Sequence, residues 1–494
     1  MKIFWIDLFA GAGGTTTGIH LTVEGSEVVA CVNHDEKAIA SHYANHPMCK
    51  HYTEDVRDMK VVRKIAKQVK ELRQKYPDAI INIWASLECT NFSNAKGGLP
   101  READSRTLAY ALYQYLTEIN PDNVFIENVR EFLSWGPLDD RGKPVSRLKG
   151  ADYLQWVDTM KSFGYDYEYR LLNSADYGAH TKRIRYFSQF ARKGFPIIWP
   201  DPTHSNKKDD GLKDWRPVKE VLDFTDEGES IFTRKKPLVE ASLKRIYAGL
   251  KKFVDTDEPS FMVKYNSMNQ KGYYRPPSLN EPSPVITAQG RLGVASMVRL
   301  PLMTSYYGNS KGAQSVEKPC PTLTTKDRFS LWFIDQQYGN GKPASVNQPA
   351  NTLTTNPKLH PVSVHRWILN PQYNNKGGSL DKPCFTLIAR MDKMPPYLMS
   401  AAIGSMPHEI NLAKDSPTMI AIKLFMYEHG ISDIKMRMLL IQEMLKIQGF
   451  PEDYILVGTK ADQKKQIGNA VVTLVAKALA ESNYNAIREL RQAS

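Results

Sequence analysis

The chain has 494 residues, 42% of them hydrophobic and 24% charged, with a formal net charge of +12 and a pI of about 9.2. That length exceeds what a single hydrophobic core organises, so two domains or more are expected, and no apolar run reaches bilayer-spanning length. The basic excess suits a polyanionic partner whose counterions it can displace, and the five cysteines, odd in number, scattered and free of CxxC pairs, predict neither a disulfide framework nor a metal site.

The N-terminus, MKIFWIDLFAGAGG, reads as a buried strand running into a glycine turn, without the small-residue cleavage site of a signal peptide. A short helix is expected from the glycines to Val23, then the strand SEVVACVNHD and the helix DEKAIASHYANH. VVRKIAKQVKELRQKY has the spacing of a charged amphipathic helix, and it precedes the apolar strand AIINIWAS. RTLAYALYQYLTEIN is a helix leading to the strand NVFIENV. The alternation predicts an α/β domain with a mostly parallel sheet, over residues 1–235.

From about Gly194 the composition turns to Pro, Lys, Asp and Ser, and the helix PLVEASLKRIYAGLKKFV follows. EPSPVITA, KPCPTLTT, QPANTLTT and KPCFTLIA then recur, with leading prolines at Pro282, Pro319, Pro349 and Pro383 and a fainter fifth copy at DSPTMIA. Each unit reads as a polar turn, a proline and a short Thr-rich β segment, so a smaller β-rich repeat domain is expected over residues 236–430. Helical periodicity is read in IKMRMLLIQEMLKIQ and in NAVVTLVAKALAESNYNAIREL, giving a C-terminal segment, 431–494, that rejoins the first domain.

Ligands on parallel sheets bind beyond the carboxyl ends of the strands, and Asp7, Asp35, Cys89 and Glu127 all fall there. Gly11, Gly13 and Gly14 permit a tight turn and close approach of backbone to ligand. Their G-x-G-G spacing departs from the G-x-G-x-x-G pyrophosphate fingerprint and suits a nucleoside without phosphates. Asn33 or Asp35 can bind ribose hydroxyls, and Asp55 can accept from an adenine amino group. Cys89 opens a polar loop after a strand, the position of a candidate nucleophile, although a lone cysteine is more often inert and buried. Glu127 and Asn128 end another apolar strand, where a buried, protonated carboxyl can donate to a base nitrogen. Arg183 and Arg185 lie two residues apart, on one face of an extended segment.

The ordered set DLFAGAGG, ECTNFS, ENV, TKRIRYF, QGFPEDY and QIGNAV resembles the cytosine-C5 DNA methyltransferase family, from Ile6 to about Val472. The resemblance implies a Rossmann-like, S-adenosylmethionine-dependent domain with a target recognition domain in its variable gap. It implies that Asp7, Phe9 and the glycine turn bind S-adenosylmethionine, with Asn469 of QIGNAV completing the cofactor side. It further implies attack by Cys89 on C6 of a cytosine flipped from double-stranded DNA, with Glu127 on N3 and the two arginines holding base and loop. A monomer in the cytoplasm of a bacterial or phage-infected cell is expected. The chain departs from the family pattern at Glu88-Cys89-Thr90, where Pro-Cys-Gln is usual, at Asn33 for Glu, at Thr181 for Gln, and at Val471-Val472 for prolines. An RNA substrate, or a base-flipping protein with impaired or altered alkyl transfer, are the alternatives; the long repeat region favours DNA over RNA.

Overall fold

The computed structural model describes residues 1–22, 25–87, 108–137, 139, 145, 150–207, 211–223, 225–226, 228–253, 410–411, 413–429 and 431–493, and strand segments between 260 and 402. Seven strands build the first sheet: β1 (Ile3–Leu8), β2 (Ser26–Val32), β3 (Lys50–Tyr52), β4 (Ile80–Ser86), β5 (Asn123–Asn128), β6 (Tyr165–Asn173) and β7 (Ile184–Arg192). Their order is β3-β2-β1-β4-β5-β7-β6, parallel throughout except that β7 runs antiparallel to both neighbours. This is the expected mixed α/β sheet.

Helices cover both faces, which is why β1 is buried along its whole length and apolar but for Asp7, rather than alternating. Phe4, Ile6 and Leu8 pack into one cluster with Val61, Val62, Ile65 and Val69 of helix Met59–Lys75, Leu112 of helix Leu112–Ile119 and Trp156 of helix Ala151–Ser162. Ile3 and Trp5 face the other way, with Ile19 of α1 (Gly14–His20) and with Val475 and Leu479 of the C-terminal helix Thr473–Ala493. Trp84 stacks flat on Phe125 at 5.7 Å within that second cluster. Each such fully buried side chain contributes roughly 1.5–3 kcal/mol.

The C-terminal helix lies directly on α1 because glycine allows it. A Cβ on Gly14 would meet the Val471 carbonyl at 2.4 Å, and one on Gly18 the Thr473 carbonyl at 2.4 Å and Ala476 Cβ at 2.6 Å.

A second, antiparallel sheet has the order Glu229–Ser230, Ile431–Met438, Tyr397–Ala402, Ser363–Asn370, Leu292–Arg299, Ser260–Lys264. Leu292–Arg299 also pairs with Ile431–Met438, so four strands close into a ring that leaves them no open edges. The four repeat motifs lie outside the described residues. Described strands nevertheless begin at Leu292, Phe329 and Leu359, each ten residues beyond Pro282, Pro319 and Pro349. The fifth copy differs: DSPTMIA opens the helix Pro417–Glu428, with Ser416 as its N-cap.

Two expectations are corrected. Ile431–Met438 is a strand, because buried Ile434 and Met436 alternate with half-exposed Lys435, and the helix starts only at Ile441 (Ile441–Ile447). The stretch NAVV is not helical throughout either: one helix ends at Asn469 (Lys460–Asn469) and the next begins at Thr473. The second sheet therefore draws in Glu229–Ser230 and Ile431–Met438, beyond the 236–430 limits.

The two units are joined by a buried ion pair. Arg437 donates from Nη1 and Nη2 to Glu443 (3.0 and 2.8 Å), and Glu443 also accepts from the backbone N–H groups of Asp223 (2.8 Å) and Leu440 (2.7 Å). Both side chains are under 8% exposed. Removing Glu443 would leave buried Arg437 with only the half-exposed Asp226 carboxylate, 3.6 Å from its Nε, so Glu443→Ala is expected to lower stability by about 3–5 kcal/mol in urea unfolding. Loss of less than about 1 kcal/mol would sink this reading of the joint.

Candidate active site

A cavity of about 440 Å³ opens at the carboxyl ends of β1, β2, β4 and β5. Of the residues singled out in the sequence, Phe9, Gly11, Asn33, Asp35, Asp55, Glu127, Arg183, Arg185 and Asn469 line it. Asp7, Gly13, Gly14 and Asn128 stand behind the wall. Cys89 and its neighbour Glu88 lie outside the described residues.

The glycine turn forms the floor. Phe9 has φ +58 and Gly11 φ +54, left-handed conformations that cost a non-glycine residue roughly 1–2 kcal/mol. At Gly11 a Cβ would meet nothing within 4 Å, so the backbone faces open space. Gly13, at φ +98, is packed instead against the Tyr454 hydroxyl, which donates to the Ala12 carbonyl. Asp7 is fully buried and accepts from Thr16 Oγ1 at 2.8 Å; burial pushes its carboxyl up to about 7, with the Thr16 hydrogen bonds opposing. It supports the turn from below and does not reach the cavity.

The acidic wall is already partly engaged. Asp35 caps helix Glu36–Asn45, accepting from Lys37 and Ala38 N–H at Oδ1, and accepts from Lys465 Nζ at Oδ2 (3.0 Å). Asn33 Oδ1 accepts from the Asp35 N–H at 2.9 Å. Asp55 is clamped by Arg57 through Nε (3.0 Å) and Nη2 (2.7 Å), which holds its carboxyl below the usual range. The sequence reading missed Arg57, Lys465 and Gln466 as cavity residues. Gln466 stood inside QIGNAV and Arg57 inside TEDVRD, so the signal was present. Lys465 carried none.

The opposite wall holds the titratable centre. Glu127 pairs with Ser86 in the β4–β5 register and is 6% exposed. Burial raises its carboxyl above the ordinary value, while Arg185 and Arg183 pull it down. Arg185 Nε lies 3.4 Å from Glu127 Oε1. Arg183, also buried, donates from Nη1 to the Gly468 carbonyl at 3.2 Å, which ties this wall to the QIGNAV segment. Asn128 is turned inward: its Oδ1 accepts from the Val129 N–H at 2.7 Å, and its buried Nδ2 has no partner among the described residues.

A family model for C-5 cytosine-specific DNA methylase matches residues 3–355 and 366–485. The chain belongs to that family. Among curated relatives, the Type II methyltransferase M.XorII of Xanthomonas oryzae pv. oryzae is 30% identical over 213 residues, 42% of this chain and 45% of the relative. The Type II methyltransferase M.Sau3AI of Staphylococcus aureus is 25% identical over 189 residues, 38% and 42% of the two chains. M.HhaI of Haemophilus parahaemolyticus, also a Type II methyltransferase, is 29% identical over 185 residues, 37% and 47%. Each match spans less than half of the relative's length. No described helix of this methylase-family chain is long and apolar enough to cross a membrane.

The raised Glu127 carboxyl has a pH consequence. The folded chain keeps this proton to a higher pH than the unfolded chain, whose ordinary value is 4.5. Its contribution to stability is complete below pH 4.5 and is lost as pH rises through the folded pKa. Glu127→Gln should therefore lose less stability than the parent as pH is raised from 4.5, read by urea unfolding at a series of pH values. Identical pH profiles would contradict the assignment.

Proposed function

We propose that this chain transfers a methyl group from S-adenosylmethionine to C5 of a cytosine flipped out of double-stranded DNA, with Cys89 as the nucleophile. The observation that carries this is the gathering of Glu127, Arg183, Arg185, Gly11 and Asn469 around one cavity, within residues matched to the methylase family. The cavity volume lies in the range of about 300–1,000 Å³ common for small-molecule sites.

S-adenosylmethionine, when bound, supplies an electrophilic methyl on sulfur. The residues present fit such a ligand: Gly11 leaves its backbone open, Phe9 offers an apolar face, and Asn33 and Asp35 offer a donor and an acceptor to a ribose diol. Asn33 stands where a carboxylate is usual, so the acceptor role passes to Asp35, shared with Lys465. Asn469, at the end of its helix, closes the cofactor side.

C5 of cytosine is a poor nucleophile while the ring is aromatic. Addition of the Cys89 thiolate to C6 breaks that aromaticity and makes C5 enamine-like. Glu127, whose carboxyl burial raises above its ordinary value, donates to N3 in its protonated form and offsets the charge that builds on the ring. Arg185 fixes the Glu127 carboxyl, and Arg183 holds this wall against Gly468. After transfer, loss of the C5 proton to a base expels the thiolate from C6. None of these atoms is within reach inside a duplex, so the base must leave the stack.

The net charge of +12 supports DNA as partner, through phosphate contacts, and the antiparallel unit around 236–430 is the reader of the target sequence. The relatives' names as Type II methyltransferases support a modification enzyme of the restriction–modification type, and we infer that it acts as a cytoplasmic monomer in a bacterial or phage-infected cell.

Duplex DNA carrying 5-fluorocytosine, incubated with the chain and S-adenosylmethionine, should give a covalent adduct on denaturing gels. Cys89→Ser should abolish the adduct and methyl transfer while DNA binding persists. Glu127→Gln should slow transfer by about 10²–10⁴-fold. An adduct formed with RNA but not with DNA, or none with either, would overturn the proposal.

A further inference from the structure

We propose that Cys31, His42, Cys49 and His51 bind one zinc ion in a structural site beneath the glycine turn. The absence of CxxC pairs predicted no metal site; the proposal departs from that expectation because one ligand atom from each of these four residues lies within 4.8 Å of every other. They come from β2, helix Glu36–Asn45, the connection after it, and β3. The spacing, C-x10-H-x6-C-x-H, matches no short sequence signature, so only the fold assembles the set.

Two thiolates with two imidazoles form a donor set suited to Zn²⁺. Tetrahedral zinc, with bonds of about 2.3 Å to sulfur and 2.0–2.1 Å to nitrogen, places its ligand atoms about 3.3–3.8 Å apart. Cys31 Sγ lies 3.7 Å from His42 Nδ1, and His42 Nδ1 lies 2.9 Å from His51 Nε2. The remaining pairs lie within 4.8 Å, so an adjustment of up to about 1 Å brings all four ligand atoms to the tetrahedral spacing.

The hydrogen-bond network selects the nitrogens that would bind. Thr16 Oγ1 donates to Asp7 Oδ2 and lies 2.9 Å from His42 Nε2, which donates to it in the Nε2–H tautomer. That leaves a lone pair on His42 Nδ1. His51 Nε2 lies 2.9 Å from that nitrogen, so the two ring atoms face the same point. The chain Asp7–Thr16–His42 is the carboxylate-backed support that metal-bound histidines commonly have. Binding converts two thiols to thiolates and releases two protons, so the ion and its sulfur ligands are neutral together. Cys31 and His42 are fully buried, and half-buried His51 marks the side from which the ion enters. The adjacent His46 is engaged elsewhere, with Thr17 at 3.0 Å.

The test uses the full chain, produced with zinc in the medium and dialysed without chelator. Mass spectrometric metal analysis should find one zinc per chain, and exchange with Co²⁺ should produce thiolate-to-metal charge-transfer absorption with the visible bands of tetrahedral cobalt. Cys49→Ser and His51→Gln should each lose the zinc, the latter at a half-buried position where folding, checked by circular dichroism, is least at risk. Thr16→Val should weaken binding by about 10–100-fold while all four ligands remain. A folded parent chain without zinc and without the cobalt spectrum would overturn the site. Full zinc retention in both ligand variants would do the same.

Discussion

The cavity depends on contact between the two ends of the chain. Gly14 and Gly18 let helix Thr473–Ala493 lie against α1 at a distance that no side chain would permit. That contact brings Lys465, Gln466 and Asn469 to the cavity wall and sets the Gly468 carbonyl against Arg183. More than four hundred residues separate Gly11 from Asn469, yet both face the same space. The entropy of closing so large a loop grows only slowly with its length, so two glycines and one apolar helix face suffice.

Across that space, opposing effects are balanced at one carboxyl. Burial favours the protonated form of Glu127, and the guanidinium groups of Arg185 and Arg183 favour the charged form. The two effects act on the same carboxyl in opposite directions. A fully exposed glutamate would be ionised, and one buried without arginine would keep its proton too tightly. The geometry that positions the group also sets its acidity.

Much of this was legible in the residues. The apolar residues Ile3–Ile6 at consecutive positions of β1 announced a strand covered on both faces, and the strand-end positions of Glu127, Arg183 and Arg185 located one wall. Other features depended on partners that spacing does not reveal. Asp55 and Asp35 read as open acceptors, but Arg57, Lys465 and a helix N-terminus occupy much of their capacity. Asp7 and Asn128 read as site residues, but their side chains turn into the protein. Ile431–Met438 was misassigned because its period-two alternation adjoins a helical run and was averaged with it. The Cys31–His51 group was illegible for a simpler reason: three elements supply it, and no local pattern links them.

The strands Glu229–Ser230 and Ile431–Met438, where the chain enters and leaves the antiparallel unit, are paired with each other. The intervening two hundred residues thus begin and end at a single locked gate, held by Arg437 and Glu443. Insertions, deletions or wholesale exchange within that span need not move either gatepost. The unit is in that sense a cassette, its two ends fixed to each other independently of the length and composition of what lies between them.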